Sequence, residues 1–116
     1  MSATGALEAA ERILNRGGEA DEVLRQIVRA VVEQGGFAWA GIFFIDDGQL
    51  VLGPEAGEPE AEQRLQLPVE YKGDRVAELD VDGADESDRP ALERIAVLIS
   101  GHCLVGWDTG GEDWIP

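Results

Sequence analysis

Residues 37–45 read Phe-Ala-Trp-Ala-Gly-Ile-Phe-Phe-Ile, with no polar side chain among them. Gly35-Gly36 stops the preceding segment and Asp47-Gly48 turns the chain afterwards, so the run reads as a strand. Alternation sends Ala38, Ala40, Ile42 and Phe44 to one face and Phe37, Trp39, Gly41, Phe43 and Ile45 to the other. A strand with two apolar faces must be central, covered twice, or covered once and walled by a pocket. The rest of the chain has to supply those covers.

On the N-terminal side the pattern is helical. Residues 4–16 place Leu7, Ala10 and Leu14 on one stripe before Gly17-Gly18, and residues 19–33 repeat Leu24, Ile27, Val28 and Val31 at helical spacing. Beyond the central strand, Asp47-Gly48 predicts a tight hairpin into residues 49–53. Residues 54–62 then read as an acidic loop. A second hairpin follows, in which Leu65, Leu67 and Val69 face Ala77, Leu79 and Val81 across the Lys72-Gly73 turn, and Pro68 suits an edge strand. Asp85 and Asp88 offer caps, Pro90 fits a first helical turn, and Leu92, Ile95, Ala96, Ile99 and Cys103 share one face of a last helix that should end at Gly106. These elements make a two-layer α/β (α+β) domain: a mostly antiparallel sheet of four to five strands with N- and C-terminal helices on one face.

A chain of 116 residues with 24 acidic and 9 basic side chains carries a net charge of −15. That field repels phosphate backbones and anionic lipid, so neither nucleic acid nor membrane is expected as a partner. Eight of the nine basic residues are Arg, a bias that a GC-rich genome or a high-salt habitat would each produce. Cys103 is the sole cysteine, which excludes an internal disulfide and suits a reducing compartment. With no secretory signal and no stretch long enough to span a bilayer, a cytoplasmic protein is expected.

In order and residue type the chain resembles a GAF domain. The resemblance covers most of residues 8–106 and rests on the helix 21–34 feeding Gly35-Gly36, the Ala-Gly-Ile-Phe-Phe-Ile-Asp strand, the hairpin around Gly73 and the helix 92–100. Within that superfamily the pattern is similar to the free methionine-(R)-sulfoxide reductases, through Trp39–Phe44, the Leu-Val-Leu-Gly-Pro run 50–54 with Gly57-Glu58-Pro59, and Leu79-Asp80-Val81-Asp82. The resemblance implies that Asp80 and Asp82 are inherited from positions that hold an amino acid's ammonium group, and Trp39 from one that walls the sulfoxide methyl. It also implies spatial strand order 2-1-4-3. The chemistry is another matter. Where the first family cysteine would follow Gly57-x-Pro59 stand Glu60-Ala61-Glu62, and the later segment bearing the catalytic cysteine has no counterpart. A minimal GAF-like domain at 1–106 and a tail at 107–116 holding Trp107 and Trp114 are therefore expected.

Alternation puts Glu78, Asp80 and Asp82 on the far face of the sheet, away from the helices, with Trp39, Gly41, Phe43, Arg64 and Gln66. Two readings are open. Trp39, Phe43, Arg64, Glu78, Asp80 and Asp82 could form a shallow site for a small amine or amino-acid-like ligand, or they could line a solvated face left by a lost lid, which is the simpler reading. No metal or cofactor is expected: the acidic run 80–88 lacks the order of a calcium loop, and His102 has neither a second His nor a second Cys to complete a zinc site. Cys103 reads as a buried thiol. The expected function is a non-catalytic GAF-like regulatory or small-molecule-sensing module. A homodimer is expected through the helical layer, with Ile13 and Leu98 exposed in the monomer. The alternatives are a diverged reductase-like enzyme and a purely structural protein-interaction domain.

Overall fold

The computed structural model describes residues 2–103; the tail 107–116 with Trp107 and Trp114 lies outside them, and the last helix, expected to run to Gly106, ends at Ile99 and gives way to a 3-10 turn before Cys103. Helices α1 (Ala3–Arg16) and α2 (Ala20–Gly35) lead into strands β1 (Trp39–Asp46), β2 (Gln49–Gly57), β3 (Arg64–Tyr71) and β4 (Asp74–Asp82), and helix α3 (Arg89–Ile99) follows. Short 3-10 turns occupy Ala61–Gln63, Glu86–Asp88 and Ser100–His102. The four strands form one antiparallel sheet in the order β2-β1-β4-β3. This is the expected two-layer α+β architecture.

Both hairpins turn through two residues of positive φ, Asp47 (56°) with Gly48 (80°) and Lys72 (53°) with Gly73 (87°), the pair that a type I′ turn requires. Across the sheet, α2 packs on β1 and β2, α3 packs on β3, and α1 lies against α2 and α3. Ala40, Ile42, Leu67, Val69, Ala77, Leu79 and Val81 meet Leu24, Ile27, Val28, Val31, Leu92, Ile95 and Ile99 in one core. Asp85 caps the turn before α3 by accepting from Ser87 N, while Asp88 accepts from Asp85 N, so these carboxylates serve the backbone.

Three details differ from the sequence reading. The buried stripe of α1 is Ala3, Ala6, Ala9, Ala10 and Ile13, and Leu7 and Leu14 only flank it. The helix approaches α2 closely enough to choose small residues: a Cβ on Gly35 would lie 3.3 Å from Ala6 Cβ and 2.6 Å from the Phe37 ring. Ile13 is thus buried and Leu98 half-buried, while Val97 is the exposed apolar residue of α3. The expected acidic loop is also shorter, because β2 continues through Pro54 to Gly57. The register slips between Gly41 and Phe43, opposite Glu55 and Leu52. This bulge accommodates Gly53-Pro54 on an edge strand, where a missing N–H costs little.

Candidate ligand site on the far face of the sheet

On the face away from the helices, alternate residues of the four strands form three rungs. Gly57, Trp39, Asp82 and Arg64 make the first; Glu55, Gly41, Asp80 and Gln66 the second; Leu52, Phe43, Glu78 and Pro68 the third. All six residues singled out in the sequence therefore share one face. The simpler expectation for that face, solvation, describes its edges, where Leu52, Glu55, Gln66 and Pro68 are exposed, but not its centre. Glu78 is 5% exposed, Asp80 2%, Asp82 0% and Trp39 2%.

The cover is built from polar side chains with long stems. The Trp39 indole lies along the sheet over Gly41, where a Cβ would stand 2.4 Å from the ring. Its Nε1–H donates to Glu55 Oε1 at 2.9 Å, and Phe43 tilts against it with centroids 6.4 Å apart. The Arg64 guanidinium stacks over the indole, its Cζ 4.7 Å from the ring centroid. Arg64 Nε and Nη2 donate to the two oxygens of Asp82 at 2.6 and 2.8 Å, and the backbone N–H of Glu60 adds a third bond to Asp82 Oδ2 at 2.6 Å. The Arg64 bonds are charge-assisted and bidentate, and removing either partner would leave the other charge uncompensated. Together the three bonds hold Asp82 below the usual carboxylate range, those from Arg64 most of all.

At the other end of the row Arg75 pairs with Glu78. Between them, Asp80 Oδ1 is buried with no hydrogen-bond partner. Burial first, and then a side-chain hydrogen bond with the Glu78 carboxyl and repulsion from it, push Asp80 up to about 7. Three buried carboxylates thus meet two guanidinium groups, and the middle carboxylate is the one left over.

Glu55, Arg75, Gly41 and the Glu60 amide were not among the expected site residues. Glu55 and Glu60 were hidden in what read as a loop. The signal for Glu55 was the apolar far face of β1, which needed a neighbour on its other side. Among the described residues no helix is long and apolar enough to cross a membrane, and no group of His, Cys, Asp and Glu is arranged to hold a metal ion. Cys103 is fully buried on the helix side, and burial pushes its thiol up to about 12.

No family model and no curated protein matches the sequence. Solved structures do match. Free methionine-R-sulfoxide reductase from Neisseria meningitidis, in complex with its substrate, aligns at a TM-score of 0.72 and 15% identity over 90% of this chain and 89% of that one. The fRMsr of Staphylococcus aureus, also in complex with substrate, gives 0.69 and 14% over 87% and 95%. The GAF domain of an Acinetobacter phosphoenolpyruvate-protein phosphotransferase gives 0.65 and 16% over 84% and 91%. The fold is GAF-like. At these identities the likeness concerns the fold, and reductases and a phosphotransferase domain share it equally.

Proposed function

We propose that this GAF-like domain is a non-catalytic, small-molecule-sensing module that takes a small organic cation, an amine or an amino acid, on the far face of its sheet. The observation that carries the reading is Asp80. A buried carboxylate with an unpartnered oxygen is costly, and a cation placed against it would satisfy that oxygen. The two substrate-bound reductases of like fold make a small ligand on this scaffold reasonable.

The same reading excludes sulfoxide reduction by a protein thiol. That reaction needs a thiolate, and the chain's one cysteine is buried beneath the helices with its thiol pushed up to about 12. The module would work in the cytoplasm as a homodimer paired through the helical layer. A monomer mass by light scattering at tens of micromolar would count against the dimer.

Titration of the full-length protein with primary amines, free amino acids and methionine sulfoxide, followed by proton–nitrogen correlation spectra, tests the site. Saturable shifts of the Trp39 indole N–H that vanish in Asp80→Asn are expected. Silence across the series up to about 10 mM, an affinity below any useful sensing range, would leave a protein-interaction domain without a small ligand. Thioredoxin-coupled turnover abolished by Cys103→Ser would restore the enzyme reading.

A further inference from the structure

We propose that Arg64 is a tethered occupant of the far-face site, standing in for a small planar cation, a guanidinium or amidinium compound, and that such a ligand enters by exchange with it. The inference rests on the sensing reading above and names the ligand class and the gate of that same site.

Arg64 already makes the contacts a bound cation would make. Its fork meets both oxygens of Asp82, and its plane covers the Trp39 face at 4.7 Å. A guanidinium carries five N–H donors in one plane, so it can use a fork and a stack together, whereas an ammonium is a compact point charge with neither. What Arg64 does not do is reach the second rung. It springs from the β3 position directly opposite Asp82, and Asp80 Oδ1 on the next rung stays unpartnered at 2% exposure. A free guanidinium has no backbone to hold it on the first rung. It can keep the stack, share the acidic row and give Asp80 the donor that Arg64 withholds. That bond is the driving force for exchange.

Release of Arg64 has a structural consequence. Asp82 binds Arg64 and the Glu60 amide through one carboxylate, and Gly83 N donates to Gln63 O at 2.9 Å. The 3-10 turn Ala61–Gln63 runs directly into Arg64. Swinging the guanidinium out therefore frees one anchor of segment 58–63, and occupancy of the site becomes a change in that segment.

Methylguanidinium chloride is the probe, with sodium chloride matching ionic strength and methylammonium as the comparison cation. The expected result is saturable binding to wild type that becomes about tenfold tighter in Arg64→Ala, because a built-in competitor has been removed. The melting temperature of Arg64→Ala should rise saturably toward wild type with methylguanidinium, and less with methylammonium. Should Arg64→Ala not fold, Arg64→Gln and the wild-type Arg64 Nε–H resonance serve in its place: that resonance should move from its Asp82-bonded position as the probe saturates. Equal affinity in wild type and the Arg64 variants, or an unmoved Nε–H signal at saturation, overturns the exchange. If amines bind wild type through Asp80 while Arg64 stays in place, the sensing reading stands and this inference falls. If no cation binds any of these proteins, both fall.

Discussion

Replacing Asp80 by Asn should stabilise the protein at pH 8 and flatten its pH dependence. Groups facing Asp80 are Glu78 and Asp82 on its own strand, Glu55 across β1, and Arg64 from β3. Burial and Glu78 outweigh Arg64, so the folded carboxyl titrates near 7 against an ordinary 3.8. Between those values the folded state keeps a proton that the unfolded state has released. Stability therefore falls as pH rises through the interval, and the loss is complete above 7. Integrated from pH 5 to pH 8, the difference comes to about 2–3 kcal/mol at 1.36 kcal/mol for each tenfold change. In a domain of this size that corresponds to about 10 °C in melting temperature. Asparagine copies the protonated shape and cannot ionise. Urea melts of both proteins at pH 5, 6, 7 and 8 isolate the effect of the Asp80 site and its Glu78 neighbour, because repulsion among carboxylates that do not touch Asp80 is common to both proteins and cancels. A wild-type-minus-variant difference constant across that range would refute the reasoning.

Asp82→Asn should behave in the opposite sense. It strips the partner from Arg64 and one bond from the Glu60 amide, costing about 3–5 kcal/mol at pH 7. Because Asp82 is held below its ordinary 3.8, the gap to wild type in urea melts should close only in acid below that value. Gly41→Ala should push the Trp39 ring, 2.4 Å from the new Cβ, off its seat over the sheet; a loss of about 1–3 kcal/mol and a shifted Trp39 indole resonance are expected. Cys103 should resist thiol reagents at pH 8 in the native protein and label fully in denaturant, since it is completely buried.

Much of the fold was legible in the sequence because it depends on local rules. Asp47-Gly48 and Lys72-Gly73 read as hairpins because few other dipeptides accept two positive φ values. Strict alternation in β3 and β4 put the right residues on the right faces. The order β2-β1-β4-β3 came from family resemblance, since no spacing in the chain fixes which hairpin edges meet. Of the expected α1 stripe only Ala10 is fully buried, because hydrophobicity favours Leu7 and Leu14 whereas close helix contact favours Ala6 and Ala9 beside it. The site was half legible. Alternation tells which face a carboxylate takes and nothing about its depth. Depth is set by Trp39, held by its bond to Glu55, and by Arg64 stacked upon it, and polar residues with long stems count as surface in any sequence pattern. Pro54 hid the extension of β2, and with it Glu55.

The acidic row also sets how cation binding should depend on pH. Glu78, Asp80 and Asp82 occupy successive same-face positions of β4, about 7 Å apart. Arg75 and Arg64 take the two ends, so the middle position lacks a single positive charge. A proton and a ligand cation can each supply it, and they exclude one another. Cation affinity should therefore rise with pH and level off above about 7, where Asp80 has lost its proton. From pH 6 to pH 8 the dissociation constant of methylguanidinium should fall about tenfold, as one competing proton requires. The charge of the chain as a whole gives no such curve: general attraction to a protein of net charge −15 varies smoothly with pH and collapses in salt. Isothermal titration in 0.3 M sodium chloride separates the two. A pH-independent affinity would mean that the bound cation does not rest on Asp80. An affinity abolished by salt would mean that it rests on no particular carboxylate.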